Sequence, residues 1–263
     1  MTDWISTDLN DGVLTLTFNR PDKLNAMSLE MYHGIGDSLR QADQDPQVRV
    51  LCLKAQGDHF CAGNEIELFA EVADDQTGEA AARLSLAAQS ILQALAAFGK
   101  PIVASVQGVA VGIGTTMLLH CDLIYAARDA RFRLPFIDLG LVPEGGSSHI
   151  LPQLVGYPKA AELLMLGEFF DAATARDLGL ITSVCDPEAL QPSADLAARK
   201  LVAKPASALR MIKRMLRQNP HVPLSQVIDT EIEQICRQLK TPAAAEAMSA
   251  FIEKRPADFS KLD

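Results

Sequence analysis

The chain opens with a regular alternation of apolar and polar residues, which predicts a β-hairpin. In residues 13–18, VLTLTF, every second position holds Leu or Phe, as expected for a strand with one buried face. The preceding Asn10-Asp11-Gly12 offers residues that tolerate the positive backbone angles of a tight turn. We therefore expect two antiparallel strands at the N-terminus.

After Pro21 the spacing of apolar residues changes to about four, which predicts a helix. Met31, Ile35 and Leu39 fall on one helical face, and Ser28 is a suitable N-cap ahead of them. The helix should stop before Pro46, because proline cannot continue it.

Apolar runs and helical segments then alternate, and this order predicts stacked βαβ units with parallel strands. The predicted strands are 48–53 (VRVLCL), 102–106 (IVASV), 122–127 (DLIYAA) and 181–186 (ITSVCD). An alanine-rich helix should end near Phe98. The polar stretch 71–79 ahead of that helix is predicted to be a mobile loop, and the wider loop 65–78 is expected to shape a ligand pocket.

The second half of the chain becomes mostly helical. Segments 146–154 and 159–166 are predicted helices, and Asp171 should cap a third one that ends near Gly179. From 193 to 251 helical periodicity dominates, with breaks at Pro205, Pro220 and Pro242. We predict a core domain over 1–195 and a helical C-terminal region over 196–263.

The charge and cysteine content narrow the class of protein. The chain has 24 basic and 33 acidic residues, a net charge of -9, which argues against a nucleic-acid or anionic-membrane surface. The uncharged run 102–119 is too polar and glycine-rich to be a membrane span. Five cysteines without a C-x-x-C pair predict reduced thiols and no metal site. The N-terminus lacks an apolar leader, so we expect a cytoplasmic protein.

Two glycine-rich turns follow apolar strands, at 59–66 (HFCAGNEI) and 107–114 (QGVAVGIG). The first N–H groups of a helix that starts after such a turn have no internal partner and favour negative charge. Two facing turns can form an oxyanion hole, although the glycines could equally serve only tight turns and close packing.

Two other glycine motifs are incomplete. A dinucleotide fingerprint would need glycine at Met117, and a serine-hydrolase elbow would need glycine at His149. Five histidines are interpreted as structural or surface residues: His33, His59, His120, His149 and His221.

Several motifs in register resemble the crotonase (enoyl-CoA hydratase/isomerase) family. They are HFCAGNEI, VQGVAVGIG with HCDLIYAA, and ARFRLPFIDLGLVPEGGSS, and the likeness extends from NRPDKLNAMS to FIEKRPADF. It implies an α/β fold, the crotonase-like ββα superhelix of stacked βαβ units, with a helical C-terminal trimerisation region. It also implies an acyl-CoA thioester as substrate, no cofactor other than the coenzyme A of the substrate, and a homotrimer or a dimer of trimers.

The resemblance implies specific roles for residues of this chain. The backbone N–H groups of Asn64 and Ile113 would hold the thioester oxygen, so a bulky residue at Gly63 or Gly112 should cripple the enzyme. The positions that would contact CoA or the thioester are Lys23, Asn25, Ala26, Ala62, Gly63, Asn64, Glu65, Ile66, Gly112, Phe251 and Lys254. Phe251 and Lys254 would do so on the CoA of a neighbouring subunit.

The position of the acidic residue separates the reactions of the family. The two glutamates of the hydratases correspond here to Thr116 and Phe136, which cannot exchange protons at neutral pH. Glu144 remains, at the position of the base in the peroxisomal type of 3,2-enoyl-CoA isomerase, with Asp138 as a reserve acid or base. A helix start would lower the pKa of Glu144, whereas apolar neighbours such as Phe136, Leu141 and Val142 would raise it.

We therefore expect an isomerase that shifts a 3-enoyl-CoA double bond to 2-enoyl-CoA. Three alternatives remain at this point. The chain could be a hydratase, could isomerise a ring-derived acyl-CoA, or could bind CoA esters without turnover. Retention of Glu144 together with both glycine-rich turns argues against the last of these.

Overall fold

The computed structural model describes residues 4–217 and 222–259, which form two sheets surrounded by helices. The strands are β1 (Ile5–Asn10), β2 (Val13–Phe18), β3 (Val50–Ala55), β4 (Ile102–Val106), β5 (Val109–Val111), β6 (Leu123–Ala127), β7 (Arg131–Arg133), β8 (Phe170–Asp171) and β9 (Ser183–Cys185). The larger sheet has the order β1-β2-β3-β4-β6-β9, and the smaller has the order β5-β7-β8.

The larger sheet confirms the predicted hairpin and parallel strands. β1 pairs antiparallel with β2, and Asp11 and Gly12 have positive φ in the turn between them. β2, β3, β4, β6 and β9 all pair in parallel. β3 and β4 are apolar and almost wholly buried because both faces of the sheet are covered.

Helices connect the strands and cover the sheet. They are α1 (Leu29–Gln44), α2 (Ile66–Asp74), α3 (Glu79–Ala97), α4 (Ile113–Thr116), α5 (Ser147–Val155), α6 (Tyr157–Leu166), α7 (Ala172–Asp177), α8 (Pro187–Val202), α9 (Ala206–Leu216), α10 (Leu224–Gln238) and α11 (Pro242–Glu253). Short 3-10 turns lie at Pro21–Lys23, Met117–His120 and Ile137–Leu139.

The core has three layers that follow from the periodicity of the sequence. Met31, Ile35 and Leu39 of α1 are buried against the sheet together with Ile91 and Leu95 of α3. On the opposite face, Ala194 and Ala198 of α8 pack against strand residues, which are Val50, Cys52 and Val103. Ser28 caps α1 as predicted, because its Oγ accepts a hydrogen bond from the Met31 N–H at 3.3 Å.

Three features differ from the sequence prediction. Most of the predicted loop 65–78 is helical, because Ile66, Leu68, Phe69 and Val72 give α2 an apolar side that the acidic residues obscure. β5, β7 and β8 form a second sheet from strands of two or three residues, too short to give a visible pattern.

The third difference concerns the C-terminal region. α8 begins at Pro187, ahead of the predicted 193, because proline is well tolerated at the first position of a helix. Residue 195 therefore lies inside α8. The predicted breaks at Pro205 and Pro242 are confirmed, since each stands where a helix begins. The predicted break at Pro220 lies outside the described residues, as does His221.

Within 4–217 and 222–259, no helix has the length and apolarity needed to cross a bilayer. In the same ranges no three His, Cys, Asp or Glu side chains come together as a metal site. All five cysteines are free thiols, and Cys52, Cys61 and Cys185 are buried as small apolar residues. Burial raises the pKa of Cys52 and of Cys61 to about 12, so both stay protonated at neutral pH.

Candidate active site

The two glycine-rich turns meet through a short parallel bridge between Cys61 and Ala110. The Cys61 N–H donates to the carbonyl of Val109 at 3.1 Å, and the Val111 N–H donates to the carbonyl of Cys61 at 2.9 Å. The turns are distant in sequence, and these bonds fix one against the other at the ends of β3 and β4.

Glycines permit this close approach. A Cβ atom at Gly114 would lie 2.5 Å from the Cys61 carbonyl oxygen, so no other residue fits there without a shift of the backbone. Gly63 has φ of +101°, and a Cβ on it would lie 3.2 Å from the Val111 carbonyl oxygen. Gly112 has φ of +54°, yet the space next to it is open. Gly112 is therefore required by its backbone conformation and not by crowding.

The backbone hydrogen bonds that hold the two turns together do not use the N–H groups of Asn64 and Ile113. The Met27 N–H donates to Gly63 and the Glu65 N–H donates to Met27, so the intervening Asn64 N–H points to the other side. Ile113 is the first residue of α4, where an N–H has no partner within the helix. Among the described residues neither N–H has a backbone acceptor, as an oxyanion hole requires.

Glu144 lies beside this pair of turns. The Thr116 hydroxyl, on α4, donates to its Oε1. Burial raises the pKa of the Glu144 carboxyl from its ordinary value to about 7, although the hydrogen bond from Thr116 lowers it. Burial thus outweighs the Thr116 hydrogen bond, and the pKa moves in the direction expected of an apolar setting. The group can take up and release a proton near neutral pH.

Two neighbours show where the Glu144 carboxylate is. Burial raises the pKa of the Tyr32 hydroxyl, and the charge of Glu144 raises it further. Burial also raises the pKa of Cys61, and Glu144 again adds to the effect. Since Cys61 joins the two glycine-rich turns and Tyr32 binds Asn64, the carboxylate stands next to these turns.

The main chain around Glu144 is fixed by side chains from two sides. The Ser147 hydroxyl donates to the Glu144 carbonyl at 2.6 Å. Nε2 of His120 lies 2.9 Å from the Gly145 carbonyl and donates to it. Burial lowers the pKa of His120, so its ring is neutral at pH 7 and its role is structural, in line with the interpretation of the histidines.

The apolar surroundings of Glu144 are not the expected ones. Val142 is 79% exposed and Leu141 is also exposed, while Phe136 packs into a separate cluster with Leu134 and Leu151. Leu141 and Val142 are therefore too exposed to provide the apolar setting that raises the pKa of Glu144, whereas a contribution from the buried Phe136 stays a prediction. The turn formed by Gly145 and Gly146 directs Glu144 inward towards α1 and α4 and leaves the preceding residues outside.

The reserve carboxylate, Asp138, has a partner of its own. Its Oδ2 forms a 2.7 Å ion pair with Arg133, and the side chain is partly exposed. Arg133 also donates to the carbonyl of Gly167 and lies 5.0 Å from the Phe169 ring centre. This ion pair engages the Asp138 carboxylate in a structural contact, which leaves Glu144 as the better candidate for the base.

The predicted CoA-contacting residues range from fully buried to exposed. Asn25 is fully buried, with its amide donating to the carbonyls of Gln56 and His59 and its Oδ1 accepting from the Arg20 N–H. The side chain of Asn25 is therefore engaged in the hydrogen bonds of its own loop, where φ is +55°, and the contact of this position with CoA stays a prediction. Its neighbour Ala26 is half-buried, and Lys23 is exposed.

The other predicted contact residues divide into two groups. Ala62 and Glu65 are half-buried and flank Gly63, while Ile66 at the start of α2 is exposed. Glu65 forms a 2.6 Å ion pair with Arg20, which lies over the Trp4 ring at 4.3 Å. Phe251, 85% exposed, and Lys254 stand at the end of α11, where they are open to a neighbouring molecule.

Sequence reasoning missed two residues of this site. Tyr32 follows Met31 on α1 and is 2% exposed, although it is one position away from the predicted apolar face. Thr116 was recognised only as a missing glutamate. A buried hydroxyl has no sequence signature, so the contacts of Tyr32 and Thr116 became visible only in three dimensions.

Comparison with known proteins shows the family to which the chain belongs. The chain matches the enoyl-CoA hydratase/isomerase family over residues 8–261. It is 33% identical over 264 residues to 1,2-epoxyphenylacetyl-CoA isomerase of Escherichia coli, covering 99% of each chain. It is 31% identical over 245 residues to human enoyl-CoA delta isomerase 2, covering 93% of this chain and 62% of the human protein.

A solved structure from Magnetospirillum magneticum AMB-1, named as an enoyl-CoA hydratase/carnithine racemase, is 42% identical. It has a TM-score of 0.90 and covers 99% of this chain and 100% of its own. The fold is that of the crotonases, an α/β protein with stacked sheets and C-terminal helices. The chain belongs to the enoyl-CoA hydratase/isomerase family, the crotonase superfamily, whose substrates are acyl-CoA thioesters.

Proposed function

We propose that this protein is an acyl-CoA isomerase that converts a 3-enoyl-CoA into the conjugated 2-enoyl-CoA, with Glu144 as its single base. The observation that supports this most is a buried carboxylate with a pKa of about 7 beside two N–H groups suited to an enolate oxygen. A carboxylate in this state can exchange a proton with carbon once the anion is stabilised.

The reaction is a proton shift with no net oxidation. Glu144 removes a proton from C2, and the C–H electrons delocalise over C2 to C4 and onto the thioester oxygen. That oxygen accepts hydrogen bonds from the N–H groups of Asn64 and Ile113. Glu144 then returns the proton to C4, the double bond forms between C2 and C3, and the thioester carbonyl is restored.

Hydration needs a second acid or base to position and activate water. The two hydratase positions hold Thr116, which is fully buried and bound to Glu144, and Phe136, which packs in an apolar cluster. Asp138 is paired with Arg133. The site therefore favours a one-base reaction over addition of water.

A second candidate reaction has one observation in its favour. The E. coli relative is named as an isomerase of 1,2-epoxyphenylacetyl-CoA, a ring-derived thioester, and it matches this chain over its full length. Isomerisation of a ring-derived acyl-CoA could use the same base and the same oxyanion hole, with a different acyl group. The two candidate reactions differ in their substrate, and both require Glu144 as the base.

Assembly is part of the proposal. Phe251 and Lys254 are exposed at the end of α11, where they could contact the CoA of a neighbouring subunit. We propose a homotrimer or a dimer of trimers in which α9, α10 and α11 form the interface. Lys254 would then bring local positive charge to an acidic protein.

An assay with three substrates, run on purified protein, tests the proposal. One arm follows conversion of 3-enoyl-CoA to 2-enoyl-CoA, a second follows hydration of 2-enoyl-CoA, and a third offers 1,2-epoxyphenylacetyl-CoA. Glu144→Ala should abolish isomerisation. Hydration that survives in this variant, or the absence of all three activities in the wild type, would show that the base is misassigned or that the protein only binds CoA esters.

A further inference from the structure

Thr116 is fully buried and touches the proposed base directly. Its hydroxyl donates to Oε1 of Glu144, and it also lies within a longer 3.5 Å of the carbonyl oxygen of Ile113. A hydroxyl has one proton to give, and a carboxylate is the stronger acceptor. The Thr116 proton is therefore directed at Glu144.

The helix that carries Thr116 also carries an oxyanion donor. Ile113 and Thr116 are the first and last residues of α4, and all four residues of this helix are buried. The backbone N–H groups of Thr115 and Thr116 both donate to the Gly112 carbonyl at 2.9 Å. One fixed turn of backbone thus sets both the Ile113 N–H and the hydroxyl that holds the base.

The segment that carries Glu144 packs directly against the same residue. A Cβ atom on Gly145 would lie 2.8 Å from the Cβ of Thr116, so there is no space between the two segments. Thr116 therefore fixes Glu144 from its side-chain end, while Ser147 and His120 fix the main chain around it.

This contact gives the two oxygens of the Glu144 carboxylate different surroundings, because only Oε1 accepts the hydrogen bond from Thr116. The terminal torsion of a glutamate is broad, so a carboxylate without a partner can present either oxygen. A donor fixed on Oε1 keeps that atom an acceptor in both protonation states. A proton taken from substrate then has to occupy Oε2.

We propose that Thr116 is a positioning residue that holds Oε1 of Glu144 and reserves Oε2 for carrying the proton between the two substrate carbons. The inference rests on the proposed function, because it assumes that Glu144 is the base. Thr116 does not touch substrate in this account. It acts on the orientation and on the proton affinity of Glu144.

The test compares Thr116→Val, which keeps the shape and removes the donor, with Thr116→Ser, which keeps the donor. Thr115→Val is the matched control, since Thr115 is also a buried hydroxyl on α4 but donates to the Ala110 and Arg133 carbonyls. Thr116→Ala replaces the valine variant if valine does not fold. The readouts are kcat and KM for 3-enoyl-CoA between pH 5 and pH 9.

Glu144 must be ionised to act, so kcat should rise with pH through the pKa of about 7. Loss of a donor to the charged form raises a carboxyl pKa, and Thr116→Val should move this limb up by about one pH unit. It should also lower the plateau of kcat about ten- to hundredfold, part of what a general base contributes. KM should change little, Thr116→Ser should restore both values, and Thr115→Val should leave the limb in place.

A second readout does not depend on turnover. The 13C signal of the Glu144 carboxyl, identified by its loss in Glu144→Gln, should titrate at higher pH in Thr116→Val than in the wild type. If Glu144→Gln is inactive, an unchanged titration and an unchanged kcat plateau in Thr116→Val would overturn the inference about Thr116 and leave the proposed function standing. If Glu144→Gln still isomerises the substrate, the proposed function fails and the inference with it.

Discussion

The Tyr32 hydroxyl donates a 2.7 Å hydrogen bond to Oδ1 of Asn64, joining α1 to the first glycine-rich turn. The side chain of Asn64 is thereby fixed next to its own backbone N–H. Burial and the charge of Glu144 raise the pKa of Tyr32, so its hydroxyl remains a donor throughout the neutral range. A core aromatic residue thus orients one half of the proposed oxyanion hole.

Replacing Tyr32 with Phe should weaken the site without disrupting the core, because only the hydroxyl is lost. A buried hydrogen bond contributes about 1 kcal/mol to the free energy of unfolding. We expect a loss of that size in urea unfolding, and a fall in kcat for 3-enoyl-CoA of roughly threefold to thirtyfold as Asn64 loses its partner. Tyr125→Phe, on β6, is the control. Equal kcat values in both variants would show that the Tyr32–Asn64 bond does not serve catalysis.

Gly112 offers a test of the role proposed for the second glycine-rich turn, residues 107–114. Its positive φ and open surroundings mean that Gly112→Ala introduces backbone strain without a clash. The strain is relieved by a change of φ, which reorients the Ile113 N–H. We expect kcat/KM for 3-enoyl-CoA to fall by about a hundredfold to a thousandfold, the typical cost of losing one such donor.

Gly179 provides the matched control for Gly112. It also has positive φ, +74°, and open space around it, but it follows α7 and belongs to neither of the two turns. Gly179→Ala should lower the free energy of unfolding by about 1 kcal/mol and leave kcat/KM unchanged. If Gly112→Ala behaves like Gly179→Ala, the Ile113 N–H is not an oxyanion donor.

The sequence was informative where local patterns determine structure. Alternation predicted the hairpin, a four-residue spacing and a capping Ser28 predicted α1, and glycines marked both turns of the site. Contacts across the chain could not be predicted. The bond from Thr116 to Glu144 depends on how α4 meets the turn at Gly145, and the helical nature of α2 was hidden by its acidic residues. Leu141 and Val142 are a further example, because they are apolar and close to Glu144 in sequence, yet both are exposed in the structure.

The raised pKa of Glu144 also predicts a pH dependence of stability. A carboxyl whose pKa is higher in the folded state favours folding below its ordinary pKa, and this contribution is lost as pH rises from about 4.5 to about 7. Glu144→Gln removes the ionisation. The wild type should therefore lose up to about 3 kcal/mol of unfolding free energy relative to Glu144→Gln between pH 4.5 and pH 8.

Urea unfolding of both proteins at these two pH values, at one fixed protein concentration, measures this difference. Glu67→Gln, at an exposed position on α2, is the control for loss of a negative charge. A constant difference between the wild type and Glu144→Gln at the two pH values would contradict a buried carboxyl with a pKa near 7.

The last prediction concerns assembly. Four apolar residues lie along one side of α10 at helical spacing and a fifth follows directly after its end, and each is about half exposed or more in the single chain: Leu224, Ile228, Ile232, Ile235 and Leu239. A continuous apolar surface of this kind marks an interface. We expect sedimentation to give a mass that is a multiple of 28.4 kDa, consistent with a trimer or a hexamer.

The double variant Ile232→Lys and Ile235→Lys should shift the protein towards the monomer, because two charges would have to be buried in the interface. If Phe251 and Lys254 contact the CoA of a neighbouring subunit, the same variant should also raise KM for acyl-CoA. Gln226→Lys, on the opposite side of α10, is the matched control and should leave both the mass and KM unchanged. An assembled double variant with an unchanged KM would place the interface elsewhere on the molecule.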